Sequence, residues 1–412
     1  MAAAATLVSG VVVAGSPAGA DTSSAPGVTA TSINVGAIST LSGELASNFG
    51  GMVPGVQAYF DMVNAKGGIN GRKLNLEWNL DDGGNPSAFT SLAHTLVDQD
   101  HAFAVFTSTY WFTPGFLAQS GTPTYGYDTS GNWAGPSNLY AANGSVQCYT
   151  CTIPSWVYMA KQLKVKGIAI LAYNVSSSKT SCSISAKEFQ QAGLKVVYTD
   201  YAVPIDGNIT PDIQRLQKAG ADYVMSCMDV NENIAMARAI KQYGINAKQF
   251  WLNGYDQSVL NQYSNLMQNV YFTVANVPIN TPTKNYPGLS AYLSAMKKYE
   301  PQHVGESLAV QGWVSAALMA AGIRAAGNNL TQKRVIQLTN QIANFTGEGM
   351  TPITNWTVSH TGTTTPSCDA FVKVSGTKLI TVMTPSPQVF LCFKHTTKNL
   401  KPVTPPAGTP GT

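Results

Sequence analysis

Residues 33–82 limit the possible fold more than any other stretch of this chain. A short apolar strand, 33–38, runs into the polar loop Ser39-Thr40-Leu41-Ser42-Gly43. Met52, Val56, Phe60 and Val63 then recur at intervals of three and four, which predicts one buried face of a helix. Lys66-Gly67-Gly68 ends that helix, because glycine accepts the left-handed backbone of a helix C-terminus and lysine suits the negative end of the dipole. Asn70-Gly71 supplies a tight turn, and Leu74, Leu76 and Trp78 alternate along a second strand. The product is a β-α-β unit, whose parallel strands open polar loops at their carboxyl ends, where ligands bind in open parallel sheets.

The same rhythm continues. Asn85 followed by Pro86 predicts a helix start, with Leu92, Leu96 and Val97 on its apolar face. Strands are expected at 103–106 and 123–127, ending in Thr109-Tyr110-Trp111 and Asp128-Thr129-Ser130-Gly131. Five more are expected at 167–173, 195–201, 222–227, 249–252 and 270–274, separated by helices at about 183–192, 210–219, 231–243 and 257–265. Helices at 286–299, 304–326 and 331–343 follow, then short strands and turns over 352–393. Strands alternating with helices of this length mean parallel, doubly wound sheets, and 412 residues are long for a single core.

Composition narrows the class. Charged residues make up only 11% while Gly (37) and Pro (22) are plentiful, as in an exported α/β protein with many turns. A scattered net charge of +4 gives no basic cluster for nucleic acid. Residues 1–20 are rich in Ala, Val and Gly and end in Ala18-Gly19-Ala20, a signal-peptidase pattern, so export is expected. The basic segment that usually precedes such a stretch is missing, which suggests a start upstream of Met1. No cysteine stands at the cleavage point to carry a lipid anchor. The apolar helix at 304–326 carries Glu306, Gln311 and Arg324, which favours burial over membrane insertion.

The run NAKGGINGRKL at 64–74, followed by Asp81-Asp82, resembles the opening of type I periplasmic binding proteins, in particular the branched-chain amino-acid-binding branch of ABC-importer receptors. The likeness extends over roughly 33–393. The resemblance implies an α/β fold of two doubly wound parallel-sheet lobes joined by three crossovers, with a ligand held between them. On this plan residues 1–30 are signal peptide and disordered N-terminus, and 31–146 plus 277–352 form lobe one. Lobe two is 147–276 plus 353–395, and 396–412 is a disordered tail. It also implies an extracytoplasmic, monomeric, non-enzymatic solute-binding protein that docks on membrane permease subunits and needs no cofactor.

Six cysteines in an exported chain are expected to pair. Strand positions favour Cys182–Cys227 and Cys368–Cys392, with Cys148–Cys151 as a local staple. Loop closure stabilises by about 4, about 3.5 and about 2 kcal/mol respectively.

Strand-end residues make the candidate cleft: Ser42, Tyr110, Trp111, Asp128 and Thr129 from lobe one, with Asp229 and Asp256 from lobe two. Tyr110 and Trp111 are either a stacking wall or partial core. In the resembling family lobe-one hydroxyls and N–H groups hold a carboxylate, and a lobe-two acid holds an ammonium. Asp256 in Asn253-Gly254-Tyr255-Asp256 matches that acid by chain order, and its alternative role is to cap the following helix. A shut-in carboxylate costs several kcal/mol unless paired, so an Asp256 in the cleft implies a cationic or hydroxyl-rich ligand. Two departures point away from leucine, isoleucine or valine. Ser176-Ser177-Ser178-Lys179-Thr180 replaces the family's Tyr-Gly, and Gln147 replaces its acidic residue at the first crossing.

Catalytic motifs fail on their partners. Ser176-x-x-Lys179 and Ser294-x-x-Lys297 lack S-D-N and K-T-G companions, and no G-x-S-x-G elbow occurs. Asp229-x-Asn231-x-Asn233 lacks a calcium loop's glycine, and the five histidines show no zinc spacing, so no metal is expected. A solute-binding receptor of an ABC importer is the leading expectation. The alternatives are an extracellular sensor and, further off, a secreted hydrolase.

Overall fold

The structure, a computed structural model, describes residues 25–43, 45–128, 130–145, 153–205, 207–362, 367–385, 387–396 and 400–412. Chain order begins with β1 (Ser32–Ser39), α1 (Ala46–Phe49), α2 (Met52–Asn64), β2 (Lys73–Asp81), α3 (Pro86–His94), β3 (Val105–Ser108), α4 (Gly115–Ser120), β4 (Thr124–Gly126) and β5 (Leu139–Ala141). Next come α5 (Pro154–Gln162), β6 (Ile168–Tyr173), α6 (Ser176–Gln191), β7 (Val196–Val203), α7 (Thr210–Lys218) and β8 (Tyr223–Cys227). They are followed by α8 (Val230–Gln242), β9 (Lys248–Trp251), α9 (Gln257–Tyr263) and β10 (Val270–Val274). The chain ends with α10 (Pro287–Tyr299), α11 (Ser307–Ala326), α12 (Gln332–Thr339), β11 (Ser367–Ser375), β12 (Lys378–Val382) and β13 (Phe390–Phe393).

Two sheets result. The first has the order β2-β1-β3-β4-β5, parallel throughout. The second runs β12-β11-β10-β9-β8-β6-β7, with β13 beside β11. Strands β6 to β10 pair in parallel, and β11 joins β10 antiparallel. Strands buried on both faces read as nearly continuous apolar runs, and β6 (IAILAY) is buried at all six positions. Asn85 starts α3 as its sequence predicts, with Oδ1 accepting from Ser87 N–H at 2.9 Å.

Helix α11 is the apolar segment foreseen as buried, and 15 of its residues are buried. It crosses α2 with the two backbones in contact. A Cβ on Gly55 would lie 1.9 Å from the Ala309 carbonyl oxygen, and one on Gly312 would lie 2.0 Å from that of Met52. These glycines therefore set how closely the helix fits beneath the first sheet. Tyr59 and Tyr292 pack edge-on against Trp313 around the same crossing.

Two expected cysteine pairs are disulfides, Cys182–Cys227 and Cys368–Cys392. The first ties α6 to the end of β8. Cys148 and Cys151 lie outside the described residues, as do residues 1–20, expected to be a signal peptide.

The lobe boundaries shift from the sequence expectation in three places. Residues 353–362 lie with the first sheet, because Trp356 and His360 pack on the Tyr140 ring at 5.1 Å each and the His360 carbonyl accepts from Gly135 N–H at 2.7 Å. The part of the chain lying with the first sheet therefore extends to 362, and β11 of the second sheet begins at Ser367. The expected disordered tail instead packs over 400–412. Val403 N–H donates to Cys392 O at 2.7 Å, and Thr409 is buried. Similarly, 25–30 is held in place by Val28, which bridges Ile33 and is buried.

Gly312→Ala should lower unfolding free energy by about 3 kcal/mol, because the new methyl meets backbone rather than a movable side chain. Denaturant unfolding measures this. A change within about 0.5 kcal/mol would show that the helices can separate at little cost.

Candidate functional site

A cavity of about 430 Å³ lies between the two sheets, lined from both lobes. It is there because parallel pairing sends the carboxyl ends of neighbouring strands to the same gap. Lobe one contributes Phe49, Tyr110, Tyr127, Asp128 and Asn143, with Ser307 and Gln311 from the start of α11. Lobe two contributes Trp156, Tyr173, the serines Ser177, Ser178 and Ser181, and then Asp229, Asn253 and Tyr255, with Phe272, Thr273 and Asp369 from the strands. The walls are aromatic, and carboxylates, amides and hydroxyls are set among the rings.

A hydrogen bond between side chains spans the gap. The hydroxyls of Tyr110 and Ser177 are 2.7 Å apart, joining the loop after β3 to the first turn of α6. Burial raises the Tyr110 pKa against the opposing pull of Ser177 and Ser178. Tyr127 is pushed up to about 12 by burial and then by the charges of Asp128 and Asp256. Both phenols are therefore neutral donors at physiological pH. Tyr173 rises too, first through burial and then through the adjacent Asp229 carboxylate.

The sequence candidates divide. Tyr110, Asp128 and Asp229 line the cavity. Asp229 also caps α8, its Oδ1 accepting from Glu232 N–H at 3.0 Å. Ser42 does not reach the site. Asp81 Oδ1 accepts from the N–H groups of Leu41 and Ser42, which turns that exposed segment away, while Thr40 points inward to Asp82. Trp111 packs edge-on to Tyr110 at 4.9 Å but on its outer side, 40% exposed, so only the first ring of the pair forms cleft wall. Thr129 and Gln147 lie outside the described residues.

Asp256 fits neither of its two expected roles. It is not on the cavity wall, and its side chain makes no capping bond to α9. Its carboxylate instead accepts from Ser307 N–H, the first residue of α11, and so caps a helix of the other lobe.

Sequence reasoning missed Trp156, Tyr173, Asn253, Gln311 and Asp369. Tyr173 could have been found, since it ends a strand whose Ser176-Ser177-Ser178 loop already departs from the family pattern. Trp156 and Asp369 sit within α5 and β11, where no loop marks them.

The sequence profile of periplasmic binding proteins matches residues 32–378. The chain is 24% identical over 315 residues to a Leu/Ile/Val-binding protein homolog of Brucella melitensis biotype 1, spanning 72% of this chain and 80% of that protein. Among solved structures, a fatty acid ABC transporter substrate-binding protein from Thermomonospora curvata superposes with a TM-score of 0.73 at 17% identity, covering 87% of this chain and 93% of that one. A branched-chain amino acid ABC transporter protein from Thermus thermophilus with bound valine gives 0.72 at 15% identity, covering 87% and 97%.

The Asp256 contact has a pH signature. Burial, opposed by the Ser307 N–H and reinforced by the Glu306 charge, pushes its carboxyl up from 3.8 to about 6. Between those values the folded protein holds a proton that the unfolded chain has released, so stability falls as pH rises through this window and levels off above it. The fall should be no more than about 3 kcal/mol, and Asp256→Asn should flatten it. Denaturant unfolding across the window measures it. An unchanged slope in the Asn variant would assign the dependence elsewhere.

Proposed function

The chain belongs to the periplasmic binding protein family, and from that premise we propose that it is the extracytoplasmic receptor of an ABC importer, closing its two lobes on one small polar solute. The cavity walled by both lobes carries this reading, since a solute touching Tyr110 and Asp128 on one side and Trp156 and Asp229 on the other bonds fully only when the lobes approach. The mechanism is non-covalent. Empty protein samples open and closed arrangements, and the solute binds the closed one better, which shifts the population. The Tyr110–Ser177 bond is a contact that the closed arrangement gains without help from the solute. Three chain crossings act as the hinge. Permease subunits in the membrane then recognise the closed monomer.

Support for a solute of modest size comes from the cavity itself. About 430 Å³ suits an amino-acid-sized or single-ring compound. The relatives named above are an amino-acid-binding homolog, a fatty acid receptor and a valine-bound receptor, so the fold alone leaves solute chemistry to the side chains.

Native mass spectrometry of freshly purified protein, followed by titration with amino acids, amines, amides and aromatic acids, tests the reading. One solute per chain is expected, with affinity lost by about tenfold or more in Trp156→Ala. A protein that retains nothing and binds no member of the panel contradicts it.

A further inference from the structure

The charges on the cavity wall all have one sign. Asp128, Asp229 and Asp369 line it, and no Lys or Arg does so among the described residues. The undescribed stretch nearest by sequence, 146–152, reads Val-Gln-Cys-Tyr-Thr-Cys-Thr and brings no basic side chain either, nor does Thr129. Asp128 is 7% and Asp229 6% exposed. Burial raises the Asp369 pKa, against the opposing pull of Ser155 and of the nearby His395, so Asp128 and Asp229 are the wall's principal charges. Asp128 and Asp229 belong to opposite lobes, so closing the empty cleft brings like charges together out of water.

A second observation concerns hydrogen bonding. The Tyr173 hydroxyl is on the cavity wall, its residue 4% exposed, and lies within hydrogen-bonding reach of the Asp229 carboxylate. Beside it stand the faces and edges of Tyr110, Trp156 and Phe272, the kind of wall that attracts a cation through ring quadrupoles. The cavity's positive features are helix starts, that of α6 and that of α11, the latter already met by Asp256, each about half a charge against the Asp128 and Asp229 carboxylates. An anionic guest would meet net repulsion there.

We propose that the solute is an organic cation, an ammonium or guanidinium compound without a carboxylate, seated between Asp128 and Asp229 and enclosed by Tyr110, Trp156 and Tyr173. The cation would cancel the repulsion between the lobes, so the charge that is recognised is also what permits closure. This rests on the receptor reading above and narrows it.

Calorimetry on the full protein with charge-matched sets tests the proposal: benzylamine against benzyl alcohol and benzoate, agmatine against arginine, and choline against its neutral carbon isostere. A cationic member should bind while its neutral or carboxylate-bearing counterpart binds at least about tenfold more weakly. Asp229→Asn should weaken the cation by about tenfold or more, and because asparagine caps a helix as well as aspartate, the melting temperature should stay within a few degrees. Asp128→Asn gives the same measurement from the other lobe. Benzoate or arginine binding as tightly as the cation would overturn the ligand class and leave the receptor reading standing. Unchanged affinity in both variants would do the same. A protein that binds none of these compounds and retains no solute on purification would overturn both.

Discussion

Parallel pairing is the constraint on which the rest of this molecule depends. Strands β1, β3 and β4 in one sheet and β6, β8 and β9 in the other each need a helix to return the chain, and each releases its polar loop on the same side. Facing two such sheets across a gap brings Tyr110, Asp128, Tyr173 and Asp229 to one cavity, although they are spread over more than a hundred positions of sequence. The scaffold around that cavity is stiff where it must be. Helices α2 and α11 touch backbone to backbone under the first sheet, and a disulfide ties α6 to β8 at the cavity wall.

Two of the polar contacts between the lobes differ in kind. The Tyr110–Ser177 pair joins neutral hydroxyls at the cavity and is cheap to exchange for water. The Asp256 carboxylate, by contrast, sits at the positive end of α11 and behind the cavity. Its burial makes the charged form costly, so protonation strengthens the folded state. An apolar cleft would close on itself and exclude its guest. The acids and amides here favour water in the empty state and so keep the site available.

Much of the fold was legible because periodicity is a local signal. The 33–82 unit, the five strands of the second lobe and the buried apolar helix all follow from spacing, caps and turn residues. Strand β5 was not, since Leu139–Ala141 is too short to alternate. The excursion of 353–362 onto the first sheet is carried by Trp356 and His360 meeting Tyr140, a contact between residues more than 200 apart. At the site, strand-end reasoning located Tyr110, Asp128 and Asp229 but also pointed to Ser42 and Trp111. Which residue of a strand-end loop turns inward is decided by local hydrogen bonds, such as those of Asp81, and not by residue type. Asp256 was recognised as special for the wrong partner, because Ser307 is 51 positions away.

The central claim is that a guest in this cavity draws two separately built lobes together. Spin labels at the exposed positions Gln119 on α4 and Lys187 on α6, measured by pulsed dipolar spectroscopy, report that motion directly. The account predicts a broad or two-peaked distance distribution without solute and a single shorter peak at saturation. A distribution that stays the same while solute is demonstrably bound would contradict it.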